Sequence, residues 1–218
     1  MAVKDFMTRK VVYISPDTTI AHATELMKEQ EIHRLPVIEN DKLVGLVTEG
    51  TIAEASPSKA TSLSIYEMNY LLNKTKVKDV MLKNVITISR FASLEDAAYL
   101  MYKHKIGILP VEDNGQLYGV ITDRDVLSAF LHVSAYGQAG LRLRFLVDDG
   151  IGVLARIVTL IAEQNYNILS TVQIQDKSEK EVIEIQLDSG ADRAVLEKVF
   201  ADAGIPVDSI MVTEAKKI

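Results

Sequence analysis

The chain repeats itself. Shifted by 74 positions, residues 3–55 align with residues 77–129 without a gap, and 19 of the 53 pairs are identical. VKDFM returns as VKDVM, and ATELMKEQEIHRLPVIENDKLVGLVT returns as AAYLMYKHKIGILPVEDNGQLYGVIT. The matches fall on apolar, Gly and Pro positions, so both copies are expected to share one backbone. Each reads as a short β-rich run (Val11 to Ile14; Val85 to Ile88), then an amphipathic helix from about Thr19 or Ser93 with Ala23, Leu26 and Met27 on one face. A hairpin follows, Leu35 to Ile38 with Leu43 to Val47, and Leu109 to Val111 with Leu117 to Ile121. A last helix starts after Thr48 or Thr122.

A unit of about 50 residues built on three strands is too small to bury both faces of its sheet. Two tandem copies can cover each other. The expectation is a pseudo-two-fold module with two related clefts between the halves. The reading places repeat one at 1–55, a loop (SPSKATS) and a packing or dimer helix (Leu63 to Leu72) within 56–76, repeat two at 77–132, a linker at 133–139 and a further domain at 140–218.

Composition narrows the function. The 24 Lys and Arg against 30 Asp and Glu give a net charge of −6, and neither half of the chain is basic. That argues against sequence-independent binding of a polyanion such as nucleic acid. With no Cys there is no disulfide, thiolate metal site or thiol nucleophile, which suits a reducing compartment. The charged start, MAVKDFMTRK, does not read as a signal peptide, and no stretch approaches the ~20 apolar residues of a membrane helix. The expectation is a cytoplasmic protein with neither membrane nor nucleic-acid partner. There is no HExxH, phosphate-binding loop or Gly-x-Ser-x-Gly, and the four His show no metal spacing.

The duplicated LPV…G-(L/V)-(V/I)-T pattern over residues 1–132 resembles a pair of cystathionine-β-synthase (CBS) domains. The resemblance implies adenine nucleotides or related adenosyl ligands held between the copies, usually without chemistry. The copies differ where such a ligand would lie. Copy two reads Thr122-Asp123-Arg124-Asp125; copy one reads Thr48-Glu49-Gly50-Thr51. In the family the Asp of such a motif holds the ribose hydroxyls and the Thr lies near the phosphate, at a helix N-terminus that favours an anion. A carboxylate can accept from two vicinal hydroxyls at once. The same spacing also fits a capping box, with Thr122 capping the helix and Asp125 reaching back.

Before the LPV strand, copy one has His33-Arg34 and copy two has Gly107-Ile108. The resemblance implies that His33 and Arg34 reach phosphate, as a planar guanidinium fork can. A solvated surface pair is the alternative. Gly107 would let a ring approach the backbone and Ile108 would pack on it, with Ile88 and Pro110 alongside. Arg90, aligned with Pro16, is a further phosphate candidate. One half brings cations and the other a carboxylate, so the expectation is one composite site.

From Leu141 the pattern reads βαββαβ: a strand at LRLRFLV, a helix from Ile151, strands at Asn167 to Gln175 and Glu181 to Leu187 around a DKSEK turn, a helix at Ala191 to Ala203 and a strand at Ile205 to Val212. That is a ferredoxin-like arrangement, making the whole chain α+β. Gly150-Ile-Gly152-Val-Leu-Ala155, with Asp176 further on, imitates a dinucleotide fingerprint. The reading is rejected because a strand, and not a crossover helix, follows Gln175. Asp148-Asp149-Gly150-Ile151-Gly152-Val153-Leu154 instead resembles the opening of an ACT domain. The resemblance implies dimerisation and an amino-acid ligand contacting Asp148, Asp149, Gly150, Gly152, Val153, Asn167 and Ile168; a pure dimerisation domain is the alternative. Together the two resemblances match stand-alone CBS–ACT regulators of the acetoin-utilisation type. They imply a non-catalytic homo-oligomeric sensor with no metal and no resident cofactor. A partner-binding scaffold with degenerate clefts and a nucleotide hydrolase remain as alternatives.

Overall fold

The computed structural model describes residues 1–56, 64–177 and 180–217. Most of the expected 56–62 loop, Leu63, and Ser178 and Glu179 of the expected DKSEK turn lie outside the described residues. The chain divides into two compact units, Met1–Leu127 and Ser128–Ile218.

In the first unit both copies adopt one backbone. Helix α1 (Ile20–Glu29) leads to the hairpin β1 (Arg34–Glu39) and β2 (Lys42–Thr48), then to α2 (Glu49–Ala55). After α3 (Ile65–Lys74) and the short α4 (Val77–Val80), the plan returns as α5 (Leu94–His104), β3 (Ile108–Asp113), β4 (Gln116–Thr122) and α6 (Asp123–Val133). The hairpins share a register to the residue: Arg34 faces Thr48 and Ile108 faces Thr122. Both carry an irregularity after the Val of LPV, between Val37 and Ile38 and between Val111 and Glu112. The expected third strand is reduced to single parallel bridges, Ile14 to Val37 and Ile88 to Val111.

The copies do not fold independently, because each lends its first segment to the other. Thr8 exchanges backbone hydrogen bonds with Val120 (2.9 and 3.0 Å), and Leu82 does the same with Leu46 (2.9 and 3.0 Å). The Val3 amide donates to the Ala92 carbonyl (2.9 Å), and the equivalent Val77 amide donates to Thr18 (2.8 Å). Val77 is fully buried in the core of copy one beside Ala23, Met27, Leu35 and Val37, and Val3 is likewise fully buried. A borrowed segment crosses each hairpin at a glycine. A Cβ on Gly119 would stand 2.7 Å from the Thr8 carbonyl oxygen, and one on Gly45 would stand 2.5 Å from Met81 Sδ. The VKDFM/VKDVM similarity therefore marks equivalent pieces that each complete the opposite half. Between the halves, Leu46 and Val120 pack with Ile108, Val11 and Val85.

Helix α3 opens at Ile65, and Leu63, the expected start, lies outside the described residues. Ser64 and Glu67 form a capping box, with the Ser64 amide donating to Glu67 Oε2 (2.8 Å) and the Glu67 amide donating to Ser64 Oγ (3.3 Å). That box sets the start, and the helix packs against α1.

The second unit runs β5 (Gly140–Val147), α7 (Val153–Glu163), β6 (Ile168–Gln175), β7 (Glu181–Leu187), α8 (Arg193–Asp202) and β8 (Ser209–Thr213). The strands lie in the order β6-β7-β5-β8, and every neighbouring pair is antiparallel. Alternation sets the faces. Leu141, Leu143 and Phe145 of β5 join Ile183, Ile185 and Leu187 of β7 under Ile157, Ile161, Leu196 and Phe200 of the helices. Phe145 meets Phe200 edge to face at 4.9 Å. On the other face Arg142 Nε donates to Gln186 Oε1 (3.1 Å) and Arg144 Nη1 to Glu184 Oε1 (2.7 Å). The last strand is shorter than the expected Ile205 to Val212. Gly204, with φ +67°, turns the chain out of α8, and Ile205 and Val207 then pack on the core as loop residues. Pairing resumes where the Asp208 amide donates to the Arg144 carbonyl (2.8 Å).

Val3→Ala and Val77→Ala are each expected to lower stability by about 2 kcal/mol in denaturant titrations, since each opens a cavity in a fully buried site. Hydrogen exchange should speed up in the opposite copy, at 109–121 for Val3→Ala and at 35–47 for Val77→Ala. One lent segment also carries an ion pair, Lys78 Nζ to Asp17 Oδ1 at 2.8 Å. The Lys78 ammonium, by hydrogen bond and by charge, holds the Asp17 carboxyl below its ordinary range. Its contribution is present above the unfolded carboxyl's titration and is lost as pH falls through the lower folded value. The stability gap between wild type and Lys78→Met should therefore close as pH drops below about 4.

Candidate functional site

The conserved hairpin register makes the differences between the copies chemically meaningful. At the position before Leu-Pro-Val, copy two places Ile108 in the apolar contact between the halves, whereas copy one places Arg34 at the edge of a cavity of about 420 Å³. Copy one contributes Lys10, Glu31, His33 and Arg34 to its wall, and copy two contributes Ile108, Thr122, Asp123 and Arg124. Val11, Val12, Ile32, Pro36 and Val120 supply an apolar lining. The volume falls within the range of about 300–1,000 Å³ usual for small-molecule sites.

Local structure fixes the polar groups. The His33 carbonyl accepts from the Glu49 amide (3.1 Å), and His33 Nδ1 lies 3.0 Å from Glu49 Oε2. At the equivalent place in copy two, the Asp123 amide donates to the Gly107 carbonyl (3.3 Å). The space that a side chain on Gly107 would occupy is taken by the ends of Asp123 and Arg34. A Cβ there would lie 2.8 Å from Asp123 Oδ2 and 3.1 Å from Arg34 Nη2. The Asp123 carboxylate also accepts from the Arg124 amide at 2.8 Å.

Thr122 lines the cavity and opens α6, and Asp125 closes a capping box on it. The Thr122 amide (2.7 Å) and hydroxyl (2.8 Å) both donate to Asp125 Oδ2, while the Asp125 amide donates to Thr122 Oγ1 (3.3 Å). Copy one builds the same box with Thr51 alone. The Thr48 amide donates to Thr51 Oγ1 (3.0 Å) and the Thr51 amide to Thr48 Oγ1 (3.1 Å). A hydroxyl is thus enough for the cap.

Of the nucleotide-site residues expected from sequence, His33, Arg34, Ile108 and Thr122 line this cavity, and Gly107 lies under the ends of Arg34 and Asp123. Asp125, in the first turn of α6, is outside the lining and is engaged with Thr122. Ile88 and Pro110 are outside the lining; Ile88 is buried where it bridges to Val111. Arg90 is also outside it. Its guanidinium lies 4.0 Å from the Tyr118 ring centre and 4.7 Å from that of Phe91, with Nε 3.4 Å from Asp113 Oδ2. Four charged residues of the wall, Lys10, Glu31, Asp123 and Arg124, were not singled out by sequence. Asp123 and Arg124 sit inside the Thr-x-x-Asp motif, which gave a signal for them, whereas Lys10 and Glu31 carry none.

In the second unit Gly152, with φ +87°, caps α7, and Val153 begins it, half-buried against the core. Asp148, Asp149 and Gly150 are exposed, with Asp148 4.0 Å from Lys180 Nζ. Asn167 precedes β6, its carbonyl accepting from the Asp188 amide (3.2 Å), and Ile168 packs partly on the core. The structure does not bring these two groups together. Asp148 follows Val147, which faces Glu181 at one end of β7, whereas Ile168 faces Leu187 at the other end. At ~3.3 Å per residue the ends lie roughly 20 Å apart. Among the described residues no group of three His, Asp or Glu side chains is placed to hold a metal ion, and no helix is long and apolar enough to cross a membrane.

Two copies of one hairpin-and-helix unit, joined around a cavity lined from both, define a pseudo-two-fold paired module. The family model for the CBS domain matches residues 3–58 and 77–132, just over half of the chain, and the chain belongs to this family. A CBS domain-containing protein of Bacillus subtilis, YhcV, is 33% identical over 125 residues, covering 57% of this chain and 82% of YhcV. Among solved structures, a Vibrio cholerae protein assigned to acetoin utilization (AcuB) is 31% identical with a TM-score of 0.51, covering 60% of this chain and 90% of that one. CBSX2, solved in complex with AMP, is 30% identical with a TM-score of 0.53, covering 61% of this chain and 97% of that one.

Replacing Thr122 by Ala should cost the ligand-free protein about 1 kcal/mol through loss of the cap, read by urea titration. Asp125→Asn, which keeps an acceptor for the Thr122 amide, should cost clearly less.

Proposed function

We propose that this protein is a non-catalytic regulatory sensor that binds an adenine nucleotide in the cavity between the CBS repeats. The observation that carries the reading is the convergence of Arg34 and Lys10 from one copy with Thr122 and Arg124 from the other around an apolar-lined cavity. Cations at a helix start suit a phosphate, and apolar walls suit a purine ring. Asp125 supports it from a second direction. Thr51 caps copy one without a charge, whereas Asp125 caps α6 through Oδ2, and a carboxylate there can also accept from a ribose hydroxyl. The AMP complex of CBSX2 supports the choice of ligand class.

In this reading, His33 and Arg34 hold phosphate, Thr122 and Asp125 hold phosphate and ribose, and Ile108 packs on the base. Ile88, Gly107 and Pro110 act through the backbone that they shape, and Arg90, held by Tyr118, Phe91 and Asp113, is outside the cavity. A ligand contacting both copies favours one arrangement of the halves over another, and only that difference in affinity can be passed on as a signal. No resident cofactor or metal is required.

The second unit is read as an ACT-like ferredoxin domain. Its support is the βαββαβ order, the β6-β7-β5-β8 strand order and the glycine turn that opens α7. An amino acid contacting both Asp148–Val153 and Asn167–Ile168 would need two chains, since the two segments lie at opposite ends of one sheet. The reading therefore includes a homo-oligomer and the repeat, linker and C-terminal boundaries given above.

Calorimetry with AMP, ADP, ATP and S-adenosylmethionine tests the nucleotide. At least one should bind, and Arg34→Ala should weaken it tenfold or more. If none binds to the wild-type protein, the sensor reading fails and a partner-binding scaffold replaces it.

A further inference from the structure

We infer that Asp123 is a specificity-determining residue that makes the cavity select a nucleoside monophosphate over di- and triphosphates; this rests on the nucleotide reading above. The charges facing the cavity are few enough to count. Lys10, Arg34 and Arg124 bring three positive charges, while Glu31 and Asp123 bring two negative ones. His33 faces its own carboxylate, Glu49, at 3.0 Å. The lining is therefore close to balanced, with one positive charge in excess.

Asp123 is the carboxylate with a defined place in that balance. It is the first residue of α6, where an anion would otherwise find exposed amides, and its Oδ1 already accepts the Arg124 amide at 2.8 Å. Its Oδ2 and Arg34 Nη2 approach the same point above Gly107. A phosphate drawn to Arg34 and the helix start must accept Asp123 as a neighbour. The single positive charge in excess offsets half of a dianionic phosphate, so a monophosphate leaves the lining closest to neutral. Each further phosphate adds negative charge beside the Asp123 carboxylate and deepens the deficit. Selectivity of this kind needs a repulsive element as well as attractive ones, and Asp123 supplies it. Copy one shows the same position used otherwise: there Glu49 is turned to His33.

The experiment is calorimetry of the full chain with AMP, ADP and ATP in the presence of a chelator, so that ATP keeps its full charge. Wild type should bind AMP more tightly than ATP. Asp123→Asn should raise the ATP-to-AMP affinity ratio about tenfold while its melting temperature stays close to that of wild type. If that variant fails to fold, Glu31→Gln removes the cavity's other carboxylate, and the ratio should move in the same direction. A wild-type preference for ATP, or a ratio unmoved by the substitution, overturns the inference while leaving nucleotide binding intact. Failure of all three nucleotides to bind removes the reading on which it rests, and the inference with it.

Discussion

Everything in the first unit depends on a reciprocal loan. The segment led by Val3 completes copy two and the segment led by Val77 completes copy one, each crossing a glycine in the opposite hairpin. Val3 and Val77 are fully buried, and the backbone groups at the crossings are paired in both directions. A repeat deprived of its borrowed segment would expose both the buried valine site and the edge of its hairpin. The halves are thus bound by covalent continuity, by hydrogen bonds and by the Leu46–Val120 contact together. The cavity gains fixed walls as a result, since its lining residues Thr8, Lys10, Val11 and Val12 continue directly from a lent segment.

The architecture was legible because duplication is a strong signal. Equal spacing of Gly, Pro and apolar residues predicted equal hairpins, and the two registers agree residue for residue. The exchange was not legible, because VKDFM and VKDVM are similar whether each packs at home or across the module. Only tertiary contact distinguishes the two. A secondary-structure edge failed where a turn residue outweighed β propensity, as at Gly204 before β8.

The site was legible in part, and the reason is geometric. A motif names residues near in sequence, so Thr122 to Asp125 and His33-Arg34 could be read directly. Lys10 and Glu31 reach the cavity through the way the copies meet, which no local pattern encodes. Arg90 failed in the other direction. Alignment placed it opposite Pro16, but Tyr118, Phe91 and Asp113 hold it away from the cavity. In the second unit the two expected ligand segments are close in sequence logic yet separated by the length of a strand, because α7 carries the chain from one end of the sheet to the other.

The pairing of Arg34 with Ile108 across the pseudo-symmetry has a consequence for how such a cavity can evolve. In an assembly of two identical single-repeat chains, any change is made twice, and an arginine that serves one cleft would also force a guanidinium into the apolar seam now filled by Ile108. Fusion into one chain lifts that restriction. One copy is free to become a wall while the other becomes a grip, so asymmetry of function can arise from a symmetric ancestor through substitutions made in one copy alone.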